Sequence, residues 1–196
     1  DDYFEAVLYA GNSTDDTAIA VNFAPDFVWL KSRSTAGGSV HSHFQLDTTR
    51  GATNFLKSDT SAAESADAAT LKAFTSTGFT LGASDVINDT GTSYVSWNWK
   101  ANGNTRTTFS EIGDNPAGGY QANTTAGFSI VDYTGTGDAG TIAHGLGAVP
   151  TMMIIKNRDV ADSWAVYHGS NTAAPETDYL VLDTTAATAD NATHWA

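Results

Sequence analysis

Five short stretches carry residue types whose spacing could do chemistry. "GTGDAG" (135–140) has the G-x-G-x-x-G spacing with which a strand-to-helix turn brings amides against a dinucleotide pyrophosphate. That chemistry needs a helix next, and "TIAHGLGAVP" follows, with two glycines and a proline that no helix interior tolerates. A hairpin turn is the expectation instead. His41 and His43 in "HSH" share one face of a strand and could begin a zinc site. A third ligand would have to be His144, His168 or Asp47, and no spacing requires any of them, so a polar strand face is the simpler reading. In "LDTTRG", Asp47 could act as a general acid only with a second carboxylate about 5 to 10 Å away. The sequence points to none, so a turn clamped by Asp47 against an amide or Arg50 is expected.

The other two stretches suggest binding. Asp85, Asn88 and Asp89 in "DVINDTG" gather oxygen ligands in one loop, the chemistry of calcium, and no other cofactor is expected. The spacing is not that of an EF-hand, and calcium takes six or more oxygens where three can be named. Trp97 and Trp99 in "SWNWK" lie on one strand face and are the candidate ligand-binding residues, as flat rings for a sugar. Alternation of this kind is equally what buried sandwich core produces, and core is the preferred reading.

These residues must be positioned by strands. "YFEAVLYA", "DFVWLKS", "HSHFQLD", "TNFLKS", "GFTLG" and "YVSWNWK" are strand-sized and rich in aromatic or β-branched residues. Turn chemistry separates them, as in "GNSTDD", "STAGGS" and "DTGTS". Only "SDTSAAESADAATLKAF" has helical character, with Ser61 and Glu64 as a capping box and room for one or two turns. The pattern predicts an all-β fold of tandem antiparallel β-sandwich domains.

Composition bounds the function. The chain has 196 residues and a net charge of −13, from nine Lys and Arg against 22 Asp and Glu. So acidic a surface repels phosphate backbones, which argues against nucleic-acid partners. No run approaches the roughly 18 apolar residues of a membrane span, so no membrane insertion is expected. Without cysteine there is no thiolate metal site, disulfide or cysteine nucleophile. The start at Asp1 suggests a processed product or the ordered part of something longer.

An internal repeat organises the chain. "FEAVLYAGNS" (4–13) matches "FSIVDYTGTG" (128–137), "FAPDFVWLKSR" (23–33) matches "AVPTMMIIKNR" (148–158), and "FLKSDTSAA" (55–63) matches "YLVLDTTAA" (179–187). Three blocks in one order predict a first sandwich unit over 1–100, a linker over 101–126 and a homologous second unit over 127–196. The second unit is incomplete, because nothing in it answers to 78–100, and a continuing polypeptide is the favoured explanation. Proline entry, apolar run and charged exit recur in both copies, which marks a core strand. Function is then expected where the copies differ, with the loops at 34–42 and 84–93 as candidate contact surfaces.

"FAPDFVWLKSR", "LDTTRGATNFLKSDTSAAE", "GFTLG" and "YVSWNWKA" together resemble a domain repeated in tail-fibre and other virion structural proteins of marine tailed bacteriophages. The stretch from Phe128 to His168 is similar to the second copy that follows in such proteins. The resemblance implies a concanavalin-like or jelly-roll sandwich in an extracellular virion appendage used for host attachment or assembly. It implies no enzyme and no catalytic residues. Other virion proteins and copies of the chain itself, as a homo-oligomer with a trimer favoured, would be its partners, with a host-surface glycan as a further ligand. Asn98 departs from the pattern, standing where Cys is expected. The runner-up reading is a carbohydrate-binding module of a secreted adhesin or glycanase.

Overall fold

The computed structural model describes residues 2–34 and 40–195. In chain order the strands are β1 (Phe4–Ala10), β2 (Thr17–Ala20), β3 (Phe27–Ser34), β4 (Phe44–Asp47), β5 (Asn54–Lys57), β6 (Ser65–Ala66), β7 (Leu71–Thr75) and β8 (Gly78–Leu81). A helical turn, α1 (Asp85–Asn88), precedes β9 (Ser93–Trp99) and β10 (Thr107–Phe109). Then come β11 (Gly118–Asn123), β12 (Phe128–Tyr133), β13 (Met152–Ile155), β14 (Ala165–His168), β15 (Asp178–Val181) and β16 (Ala189–Asp190). The chain is all-β with antiparallel sheets, consistent with a β-sandwich.

A six-stranded sheet, ordered β1-β9-β3-β4-β5-β6, faces a three-stranded one, β2-β8-β7. Period-two alternation decides what lies between them. In β3, Val28 and Leu30 point inward with no exposure, while Phe27, Trp29 and Lys31 point to the outer face. The core joins Phe44, Leu46 and Phe55 of the large sheet to Ile19, Leu71, Phe79 and Leu81 of the small one, with Ile87 of α1 closing one end. Each such side chain contributes about 1.5 to 3 kcal/mol by leaving water.

Two local expectations are corrected. Residues 58–74 carry no helix; they hold β6 and the start of β7. Glu64, read as a capping residue, instead bonds two arginines, and Leu71 and Phe74 serve the core. Loop 134–151 contains neither helix nor strand, and β12 and β13 are not paired, so "GTGDAG" is not a hairpin turn. Within the segment read as a linker, β10 and β11 form a three-stranded sheet with β12.

The sheet β13-β14-β15-β16 repeats the order of β3-β4-β5-β6. Small polar bonds recur with it. Asp59 Oδ1 accepts the His43 amide just before β4, and Asp183 Oδ1 accepts the Trp164 amide just before β14. After β6, Asp67 Oδ1 accepts the Ala69 amide; after β16, Asn191 Oδ1 accepts that of Thr193. The Asp67 and Asn191 amides donate to the carbonyls of Thr53 and Thr177. "TAIA" (17–20) forms β2 by pairing with β8, whereas "TIAH" (141–144) is loop.

Candidate functional site

A cluster of polar side chains lies where the two halves of the chain meet. Arg50, 7% exposed at its side chain, donates through Nε to Asp47 at 2.5 Å and through Nη2 to the Gln45 carbonyl at 2.9 Å. The turn after β4 makes this possible, because the Arg50 amide also donates to Asp47 Oδ1. The clamp expected of "LDTTRG" is present in both of its forms. Arg50 Nη1 reaches on to Glu64 at 3.2 Å, and Arg158 takes the same carboxylate in a fork of 2.8 and 3.0 Å. Burial would raise the Glu64 carboxyl, but Arg158 and Arg50 together outweigh it and hold it below its usual range. Nearby, Trp164 Nε1 donates to the carbonyls of Lys57 and Thr60, and the Asp162 amide to that of Ser61. The Asp47–Arg50 pair is buried, so breaking it from one side is costly, since it strands a desolvated charge.

Asp26 is a second buried carboxylate, and its role was not evident in "FAPDFVWLKSR". Its oxygens accept the amides of Ala101, Gly103 and Asn104 at 2.8 to 2.9 Å and the Thr48 hydroxyl. Gly103 and Asn104 have φ of 61° and 60°, a left-handed turn that makes successive amides converge on an anion. The signal was there: an acid after a proline, and "ANGN" after a strand. Gln121 of β11, fully buried, adds bonds from Nε2 to the Thr48 and Thr49 hydroxyls. Arg158 and Glu64 could not have been paired from sequence, since nothing marks two residues 94 apart as neighbours.

The histidines do not converge. His43 Nδ1 accepts the Trp29 indole N–H at 2.9 Å, while His144 and His168 turn Nδ1 toward the amides of Leu146 and Ser170. Burial, and then Lys31, hold the His43 imidazole below its ordinary pKa. Among the described residues no group of three or more His, Asp or Glu could hold a metal.

Asp85, Asn88 and Asp89 sit on and just after α1. Asn88 is fully buried; its Oδ1 accepts the Asn12 amide, and its Nδ2 donates to the carbonyls of Thr14 and Gly82. Its side-chain amide is thus bonded to backbone through both its oxygen and its nitrogen. Asp89 Oδ2 accepts the Thr92 hydroxyl, and the Asp85 carbonyl accepts the Tyr94 phenol. The loop at 84–93 is thus pinned to β1 and β9. Residues 35–39 of the other candidate loop lie outside the described residues.

Trp97 and Trp99 lie on the outer face of the six-stranded sheet. The preference for core is corrected, because β9 turns Tyr94, Ser96 and Asn98 inward. Trp97 meets Trp29 edge-on, and Trp99 packs against Phe4, Phe27 and, stacked, Phe128. An open recess of about 660 Å³ beside Trp99 is lined by Asp2, Tyr3, Phe4 and Ala126. Phe128 begins β12, so this aromatic group also holds the middle sheet to the first unit.

The class these features define is an all-β protein whose polar side chains knit one half of the chain to the other. Residues 1–196 match the model of a family described as a domain of unknown function, DUF7483, and the chain belongs to that family. Neither the curated proteins nor the solved structures provide a match.

Proposed function

We propose that this chain is a non-enzymatic structural module of a bacteriophage virion, part of a tail fibre or similar appendage serving attachment or assembly. The observation that carries the reading is where its reactive-looking groups go. Asp47 is clamped by Arg50, His43 accepts from Trp29, Asn88 holds backbone, and Glu64 ties residues near β6 to Arg158. Side chains that an enzyme would aim at a substrate here brace a scaffold. The recurring strand order and the family resemblance in "FAPDFVWLKSR" and "YVSWNWKA" support the same reading, with tandem sandwich modules as the working architecture. Antibodies against the folded chain, applied to purified phage particles, should label an appendage by electron microscopy. Recovery of the chain only in a particle-free fraction would overturn the proposal.

One observation favours a second reading, a carbohydrate-binding module: the recess beside Trp99, with aromatic faces and the Asp2 carboxylate at its rim. Glycan-array binding that disappears in Trp99→Ala, with an unchanged circular dichroism spectrum, would favour it. An array without signal for the folded chain would remove it.

A further inference from the structure

We propose that β13 is the acceptor edge for an added antiparallel strand of the β9 type, in which aromatic residues alternate with small polar ones. This rests on the fold and is independent of where the protein works. Among the described residues β13 hydrogen-bonds to β14 alone, while its counterpart β3 lies between β4 and β9. The strand on the far side of β9 is β1, and its counterpart β12 pairs only with β11 among the described residues. Both strands that would flank a β9-like segment in the second half therefore have an edge to offer.

The side chains point to the same occupant. In the first half, Phe27 and Trp29 are covered edge-on by Trp99 and Trp97, directly across from them in register. The repeat places Met152 and Ile154 at those positions, and they are 51% and 37% exposed. Tryptophans on an added strand would cover them as β9 covers β3, with a sulfur–aromatic contact at Met152. The loop conformation of "TIAH" fits as well, since "TAIA" is a strand only through its pairing with β8. The edge strand itself reads Met-Met-Ile-Ile, and the proline and lysine that could blunt it, Pro150 and Lys156, stand only at its flanks. Backbone pairing would supply affinity and the alternate side chains specificity.

A synthetic peptide of sequence SYVSWNWK, titrated into the folded chain and followed by hydrogen-exchange mass spectrometry, tests this. Exchange over 152–155 should slow by about tenfold or more at saturation, with 4–10 and 27–34 unchanged. A peptide with proline in place of the valine and the first tryptophan should have no effect, because it cannot make the ladder. Three results would overturn the proposal. These are unchanged exchange at β13, protection by the proline peptide as well, and protection that grows with chain concentration alone, which would make a second copy the occupant.

Discussion

At the residue scale, buried polar side chains hold this protein together more than its sequence advertises. Asp26 gathers three amides and a hydroxyl, so Asp26→Ala would orphan several buried donors at about 1 to 3 kcal/mol each. We expect a loss of about 3 kcal/mol or more in urea unfolding, with Asp26→Asn also destabilised because its Nδ2 cannot accept where a carboxylate oxygen did. His43 makes a second prediction. Its imidazole binds a proton less readily folded than unfolded, so the unfolded chain holds more protons between the two pKa values. Stability should therefore fall as pH drops through the ordinary value of 6.5 and level off below the lowered folded value. His43→Gln should flatten that slope in a series of unfolding midpoints. Asn98 sits fully buried with its Oδ1 unpartnered among the described residues. Its Nδ2 bonds to the Glu5 carbonyl and to Ser96.

At the element scale, the strands of the first half were legible because alternation and turn residues agree locally. "FVWLKS" and "YVSWNW" are strands in the expected positions, and the repeated phrase is a strand in both halves, but a core strand only in β3, since no residue of β13 is buried. What sequence could not decide is which face of β9 meets the core. Tryptophan and small polar residues alternate there, and the small ones face inward because Tyr9, Tyr94 and Val7 fill that side. Residues 58–74 misled because alanine-rich composition says helix while Leu71 and Phe74 are needed by the core. The zinc and calcium candidates were unreadable for a common reason: hydrogen-bond partners such as Trp29 for His43 or Gly82 for Asn88 are set by tertiary structure. Element packing also fixes glycine at position 11, where a Cβ would lie 2.2 Å from the Asp89 carbonyl oxygen. Gly11→Ala should push α1 and its loop off β1, with a loss of about 1 to 3 kcal/mol in thermal or urea unfolding.

At the scale of the whole molecule, Glu64 joins the two halves of the chain, bridging Arg50 in the first and Arg158 in the second. A carboxyl held low by these cations binds fewer protons folded than unfolded. Its contribution is complete above the unfolded value near 4.5 and is lost as pH falls through the lower folded value. Acid should thus loosen the second half before the first core, seen as early exchange in 152–181 below about pH 4.5. Glu64→Gln should show that loosening already at neutral pH. The assembly reading requires the two halves to travel as one body in a particle. A cryo-electron reconstruction of a phage appendage is the most direct measurement. Density for this chain is expected on the appendage, with an added strand beside β13. Density for it only in the capsid lumen, or none in the particle, would contradict the assembly reading.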